Sequence, residues 1–181
     1  MKFTTKTLVT MALLSALAYI SVFFSNWNPI ASADFLVYDP KDAIIVLGGF
    51  LYGPLAAVMM SLTVSLIEMF TVSRDGIVGF AANMLSTCAF VLPAVFIYRI
   101  KKNLLCAVIG LATGIIGVTG VMVLWNFLVV PHYRGVPQAV INAMLLPVFA
   151  PFNLIKGGIN AGFALILYKP LILIFTKAKL N

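Results

Sequence analysis

Residues 104–130, LLCAVIGLATGIIGVTGVMVLWNFLVV, form a run of 27 positions without a charged side chain. A helix needs about 20 mostly apolar residues to cross the hydrocarbon core of a bilayer. Surface helices of soluble domains carry charged groups on the face that meets water, and this run has none. The run therefore predicts a transmembrane helix.

Five more apolar segments flank this run, at residues 7–24, 43–51, 55–72, 77–98 and 145–175. Segment 43–51 is too short to cross alone, because a helix of that length rises only about 14 Å against a core of about 30 Å. Over the whole chain 62% of residues are hydrophobic and 9% are charged, whereas a soluble domain has about 25% charged residues. We predict an all-α integral membrane protein, a single domain over residues 1–181 with six transmembrane helices.

The positions of Lys and Arg predict the orientation of these helices, because both residues accumulate in cytoplasmic loops. With the N-terminus inside, eight of them lie on the cytoplasmic side and three, Lys41, Arg74 and Arg134, on the outer side. We therefore expect both termini in the cytoplasm. No basic patch is interleaved with stacking aromatics, which argues against a nucleic-acid partner.

Polar and ionisable side chains collect in the predicted outward half of the helices. Such groups are costly at membrane depth and are therefore candidates for function. A cavity lined by amides, carboxylates, a lysine and aromatic rings suits a small polar organic ligand with a flat ring. The candidate ligand-binding residues are Asp34, Tyr38, Asp39, Asp42, Glu68, Asn83, Asn126, His132, Tyr133, Asn153 and Lys156.

Structural roles compete with ligand binding at several of these positions. Lys156 shares a helix face with Asn153 and Asn160, which lie three and four positions away. A structural ion pair of Lys156 with Glu68 or with an outer Asp explains its presence as well as ligand contact does. The Asp residues of loop 34–42 also fit a solvated loop face, and His132 fits an ordinary loop position. Single Asn and Ser residues are common in interhelical hydrogen bonds.

Motifs of catalysis are missing from the sequence. It has one His, no HExxH or GxSxG motif and no ligand set for a metal. The glycine-rich stretch 48–54, GGFLYGP, lacks the Lys and the Ser or Thr of a P-loop. We therefore expect no enzyme activity and no bound cofactor, and any ATP used in transport would be hydrolysed by partner subunits.

The first helix offers a candidate docking surface. Ala12 and Ala16 lie one turn apart on one face, with Ser15 beside them. Small residues at this spacing let a second helix approach closely in lipid. Internal packing of the same residues is the alternative interpretation.

Four motifs carry a resemblance to a known family: GGFLYGP at 48–54, NMLSTC at 83–88, WNF at 125–127 leading to Pro131, and PFNLIKG at 151–157. With them the chain resembles the S components, the substrate-binding membrane subunits of energy-coupling factor (ECF) vitamin transporters. The resemblance implies six helices around an outward-facing vitamin site in a bacterial cell membrane. It also implies a transmembrane coupling subunit, the T component, and two ATPases as partners, with docking through Ala12 and Ala16.

The resemblance implies that Asn126, Asn153, Lys156 and the loop 34–42 bind the vitamin. The motif at 151–157 is similar to that of riboflavin-binding members, but YDPKD at 38–42 and the charge of Glu68 depart from them. We therefore expect a smaller ring, such as hydroxymethylpyrimidine or pyridoxine, with riboflavin second and pantothenate third. A small membrane enzyme and an assembly protein are the alternatives from other classes.

Overall fold

The computed structural model describes residues 4–25, 36, 38–73 and 75–177; at 172 and 174–177 the helix is described but not the side chains. Every regular element in this part of the chain is helical, which confirms the all-α prediction. The helices, in chain order, are α1 Thr5–Phe24, α2 Lys41–Tyr52, α3 Pro54–Thr71, α4 Gly76–Lys101, α5 Leu104–Leu128, α6 Val130–Arg134, α7 Gln138–Met144 and α8 Ala150–Lys177, with a π-helical turn at Leu145–Phe149 between the last two.

Five helical stretches are long and apolar enough to cross a membrane. They are α1, α3, α4, α5 and the continuous stretch Gln138–Leu171. The remaining predicted segment, 43–51, lies within α2, whose 12 residues rise only about 18 Å. Five of the six predicted segments thus form helices of spanning length, and the protein is a multi-pass membrane protein.

The short helix α2 lies in the interior of the bundle, where it packs against α1, α3, α4 and α8. Ten of its residues are buried, Lys41 and Asp42 among them. The helix ends at Gly53, whose φ of 98° is a left-handed conformation that a side chain would disfavour. Pro54 then starts α3 at the first helical position, where a missing N–H is tolerated.

Helices α4 and α5 approach each other closely at glycines of α5. A Cβ atom on Gly114 would overlap the carbonyl oxygen of Phe90, and one on Gly110 would lie 2.6 Å from that of Ala94. Such close approach is possible only without a side chain. This contact fixes the relative position of two helices that both line the cavity described below.

The two ends of the bundle differ in chemistry. At one end the rings of Phe50, Tyr98 and Tyr168 pack together, with centroids of Phe50 and Tyr98 4.3 Å apart and the two tyrosine hydroxyls 3.1 Å apart. At the other end, which we call the polar end, α2 begins with Lys41 and α3 finishes its last turns near Glu68. The polar end holds the cavity.

Candidate ligand-binding site

A cavity of about 200 Å³ opens between α4, α5, α6 and α8 at the polar end. Its walls combine amide, carboxylate, hydroxyl and ammonium groups with aromatic and aliphatic side chains. The lining residues are Leu36, Asp39, Ser73, Asp75, Val78, Gly79, Ala82, Asn83, Ser86, Met122, Trp125, Asn126, Val130, Tyr133, Arg134, Phe152, Asn153 and Lys156.

The π-helical turn places the α8 residues that face this cavity. Pro151 has no N–H to donate to the carbonyl of Pro147, so the regular hydrogen-bond pattern is interrupted here. The N–H of Ala150 instead donates to the oxygen of Leu145, five residues back. Such turns are frequent at functional sites. Asn153 and Lys156 follow directly on α8 and line the cavity.

Lys156 is the central charge of the site. Its Nζ donates to Oδ2 of Asp39 at 2.9 Å and lies 3.8 Å from Oδ2 of Asp42. Asp42 in turn accepts a hydrogen bond from the hydroxyl of Thr87 at 2.7 Å. Of the two sequence interpretations of Lys156, the ion pair is present, with two aspartates and not with Glu68 as its carboxylate partners. Because Lys156 also lines the cavity, ligand contact is compatible with that ion pair.

A second buried ion pair joins Lys41 at the start of α2 to Glu68 on α3, through Oε2 of Glu68. The same oxygen accepts a hydrogen bond from Nδ2 of Asn83 at 2.8 Å. Lys41 is 1% exposed and Glu68 is 2% exposed. Neither is among the residues that line the cavity, whereas Asn83 is. The pair therefore reaches the cavity through the amide of Asn83.

The two groups of ion pairs together contain three carboxylates and two ammonium groups, and Asp39 is the partly exposed member. Oδ1 of Asp39 is buried and has no hydrogen-bond partner within the described part of the chain. A buried acceptor without a partner costs about 1–3 kcal/mol. Since Asp39 lines the cavity, a hydroxyl or N–H group of a ligand would supply the missing donor.

Two side chains of the loop before α2, those of Tyr38 and Asp39, have pKa values outside their usual ranges. Burial alone would raise the pKa of Asp39, but the ammonium groups of Lys156 and Lys41 outweigh this effect and hold the pKa below its usual value. Burial, together with the charges of Asp39 and Asp42, raises the pKa of Tyr38. At neutral pH Asp39 is therefore charged and Tyr38 is protonated.

Asn160 of α8 ties this loop to the bundle. The hydroxyl of Tyr38 donates to Oδ1 of Asn160 at 3.0 Å, and Nδ2 of Asn160 donates to the backbone oxygen of Asp39 at 3.2 Å. Asn160 is fully buried. The two hydrogen bonds and the Lys156 ion pair together hold residues 38–42 against α8, so that Asp39 faces the cavity.

Two further cavity amides have their orientation fixed by backbone carbonyl groups. Nδ2 of Asn126 donates to the oxygen of Met122 at 2.6 Å, and Nδ2 of Asn153 donates to the oxygen of Phe149 at 2.8 Å. A carbonyl oxygen can only accept, so in each side chain the NH₂ group is the one engaged. The amide oxygens of Asn126 and Asn153 remain as acceptors for a ligand.

At the rim, α6 contacts the segment between α3 and α4. Arg134 forms an exposed ion pair with Asp75 at 3.4 Å, and the hydroxyl of Tyr133 donates to the backbone oxygen of Asp75 at 3.3 Å. An exposed pair of this kind contributes little stability. Because all three residues line the cavity, these contacts form part of its border.

The structure groups the predicted site residues into those that line the cavity and those that do not. Tyr38, Asp42 and Glu68 are buried and hold lining residues in place. His132 is exposed, with Nδ1 3.0 Å from the oxygen of Leu128, and is not among the lining residues. Asp34 lies outside the described residues. The predicted residues on the cavity wall are Asp39, Asn83, Asn126, Tyr133, Asn153 and Lys156.

The predicted docking residues of α1 differ in their exposure. Ala12 and Ala16 are exposed on the outer face of the helix, whereas Ser15 is 5% exposed and faces the interior.

Sequence reasoning does not select some residues of the site. The sequence places Lys41 among the outer-side charges, but it is buried and paired with Glu68, 27 positions away. Nothing near Lys41 in the sequence indicates that partner. Thr87 and Asn160 could be found from the sequence, because both are polar residues inside apolar helical segments.

Comparison with known proteins gives the site its context. Residues 6–168 match the family described as ECF transporter, substrate-specific component. The chain belongs to this family. Its members are components of transporters and not enzymes, and the prediction of an S component is confirmed.

Two relatives of this S component are riboflavin transporters. One is RibU of Staphylococcus aureus (strain TCH60), 28% identical, with 92% of this chain and 90% of the relative covered. The other is FmnP of Bacillus subtilis (strain 168), 26% identical, with 91% of each chain covered. A solved structure of the S component of a bacterial ECF transporter is 29% identical, with a TM-score of 0.79, and 94% of this chain and 97% of that chain are covered.

Proposed function

We propose that this chain captures riboflavin for an ECF-type importer in the cytoplasmic membrane of a bacterium. The observation that carries the proposal is its similarity, over nearly the whole chain, to two riboflavin transporters. The chemistry of the cavity supports it. Trp125 and Phe152 offer aromatic surfaces for a flat ring, and Lys156 can donate to a ring carbonyl group. The oxygens of Asn126 and Asn153 can accept from ring or chain donors.

Riboflavin replaces hydroxymethylpyrimidine or pyridoxine as the first choice of ligand. The sequence argument for a smaller vitamin depends on the charges of loop 38–42, which are Asp39, Lys41 and Asp42, and on the charge of Glu68. In the structure these charges are paired within the protein, Lys41 with Glu68 and both aspartates with Lys156. Lys41, Asp42 and Glu68 do not line the cavity, and Asp39, which does, is paired with Lys156. These charges therefore do not argue against a large ligand with few charges.

A pyrimidine or pyridine vitamin stays the second candidate because of the size of the cavity. Its volume of about 200 Å³ is below the range of roughly 300–1,000 Å³ typical of ligand pockets. A single ring with hydroxymethyl groups would fill such a space without rearrangement. Pantothenate, which has no ring for Trp125 and Phe152 to stack on, is third.

The test is binding of vitamins by the protein purified in detergent. Quenching of flavin fluorescence should report saturable riboflavin binding at one site per chain. Hydroxymethylpyrimidine, pyridoxine and pantothenate should fail to displace the flavin at equal concentration. Displacement by pyridoxine, or its presence among small molecules carried through purification when riboflavin is absent, would instead favour the second candidate.

We propose further features of the transporter, which membership of the family supports. The termini lie in the cytoplasm, and α2 forms the sixth, incomplete crossing among the other helices. A T component docks on α1, and two ATPases supply the energy, because this chain carries no nucleotide-binding motif. Reconstitution with such a module in vesicles should give uptake that depends on ATP, and no uptake without it.

A further inference from the structure

The orientation of the Asn83 amide is fixed by its hydrogen bond to the carboxylate of Glu68. Its Nδ2 lies 2.8 Å from Oε2 of Glu68. An ionised carboxylate can only accept hydrogen bonds, so the NH₂ group of Asn83 must be the group directed at Glu68. The amide oxygen is thus left on the other side of the group. Because Asn83 lines the cavity, this oxygen is the part available to a ligand.

The carboxylate that orients Asn83 is itself held in place. Lys41 pairs with the same oxygen of Glu68, and both side chains are almost fully buried. Burial of two charges is costly, and the gain from their attraction often does no more than offset that cost. Neither residue lines the cavity, so contact with a ligand does not explain the pair. Its hydrogen-bonded connection to the cavity is through Asn83.

The cavity wall formed by α4, which carries Asn83, differs from the walls formed by α5 and α8. The α5 and α8 side provides the aromatic residues Trp125 and Phe152 and the ammonium group of Lys156, which suit a ring and its carbonyl groups. The α4 side provides Ala82, Asn83 and Ser86. With the ring on the aromatic side, a hydroxylated chain would lie along α4.

We infer that Lys41 and Glu68 form a positioning pair that holds the amide oxygen of Asn83 toward the cavity, where it accepts a hydrogen bond from a hydroxyl group of the ligand. This inference depends on the proposed function. It makes Asn83 a specificity-determining residue, because a ligand without that hydroxyl would leave a polar oxygen unpaired. Sites built in this way discriminate strongly against analogues that lack the donor.

The first experiment compares riboflavin with lumiflavin, which has the same ring system with a methyl group in place of the hydroxylated chain. Asn83→Ala should weaken riboflavin binding about tenfold more than lumiflavin binding, as expected for one lost hydrogen bond. Equal weakening of both flavins, or no weakening of riboflavin, would overturn the inference. If the unaltered protein binds neither flavin, the proposed function itself fails, which is a distinguishable result.

The second experiment tests the positioning role with a matched pair of double variants. Lys41→Met with Glu68→Gln removes both charges but keeps an oxygen for the NH₂ group of Asn83. Lys41→Met with Glu68→Met removes the charges and that oxygen. The Gln variant should keep most of the preference for riboflavin over lumiflavin, and the Met variant should lose about tenfold of it. Equal preferences in the two variants would overturn the positioning role.

Thermal unfolding of both double variants in detergent reports whether the comparison is between folded proteins. If either fails to fold, the same comparison of flavins in Asn83→Asp decides the matter. The Asp side chain keeps an oxygen on the cavity side while losing the donor to Glu68. The positioning role predicts that Asn83→Asp loses its preference for riboflavin, because its oxygen is no longer held by the contact with Glu68. Full retention of that preference would contradict the positioning role.

Discussion

Nζ of Lys156 lies 2.9 Å from Oδ2 of Asp39, which joins the last long helix to the loop that precedes α2, 117 positions earlier in the chain. Both side chains line the cavity. The ion pair thus connects Lys156, which can contact a ligand, with the loop before α2, which forms part of the cavity wall. Binding and the position of residues 38–42 should therefore depend on one another.

Lys156→Met should weaken riboflavin binding by at least about tenfold and destabilise the fold by about 3 kcal/mol. The reason is that Asp39 and Asp42 would become buried carboxylates without this ammonium partner, and breaking a buried pair costs about 3–5 kcal/mol. Flavin titration and thermal unfolding in detergent measure the two effects. Lys169→Met, at an exposed lysine of the same helix, is the control and should change affinity less than about twofold. Unaltered binding by Lys156→Met would contradict the assignment.

The ion pair of Asp39 should show a defined dependence on pH. The folded-state pKa of Asp39 is lowered relative to the unfolded chain, so its stabilising contribution is fully present above the unfolded value of about 3.9. That contribution is lost as the pH falls through the lower, folded-state pKa. We expect the difference in melting temperature between the wild type and Asp39→Asn to be constant from about pH 8 to about pH 5. The difference should shrink in more acidic solution. A difference that grows on acidification would show that the pKa is raised instead.

Gly114→Ala should destabilise the bundle by about 1–3 kcal/mol. The new Cβ atom would overlap the backbone oxygen of Phe90, so α4 and α5 would have to move apart. Gly120→Ala is a matched control on the same helix, because no atom lies within 4 Å of the position that its new methyl group would occupy. Alanine is a better helix former than glycine, so the control should be neutral or slightly stabilising. Thermal unfolding of both variants makes the comparison, and similar losses in both would contradict close packing at Gly114.

Replacing Ala12 and Ala16 together with Leu should reduce uptake by the reconstituted transporter by at least about fivefold without changing riboflavin affinity. Both alanines are exposed on α1, so larger side chains would block a close helix contact there while leaving the interior unchanged. Ala112→Leu, at an exposed position of α5, controls for a general effect of bulk at the lipid face. Equal loss of binding and uptake in the α1 variant would argue against a docking role.

Much of the fold could be predicted from the sequence, because hydropathy records whether a segment lies in lipid. The run at 104–130 corresponds to α5, and four other segments form helices of spanning length. Segment 43–51 is harder to interpret, since an apolar run looks the same whether it faces lipid or protein. Only packing against α1, α3, α4 and α8 identifies α2 as an interior helix.

Within the site, the amino-acid order was sufficient to predict relationships that depend on local geometry. The spacing of Asn153, Lys156 and Asn160 places them on one face of α8, because the helix repeats every 3.6 residues. The choice of charged partners, in contrast, required the packed bundle. Lys156 pairs with Asp39, and Lys41, which has the sequence surroundings of a loop residue, is buried against Glu68. Those partners come from distant segments, and their meeting depends on how all the helices pack, which no short stretch of sequence encodes.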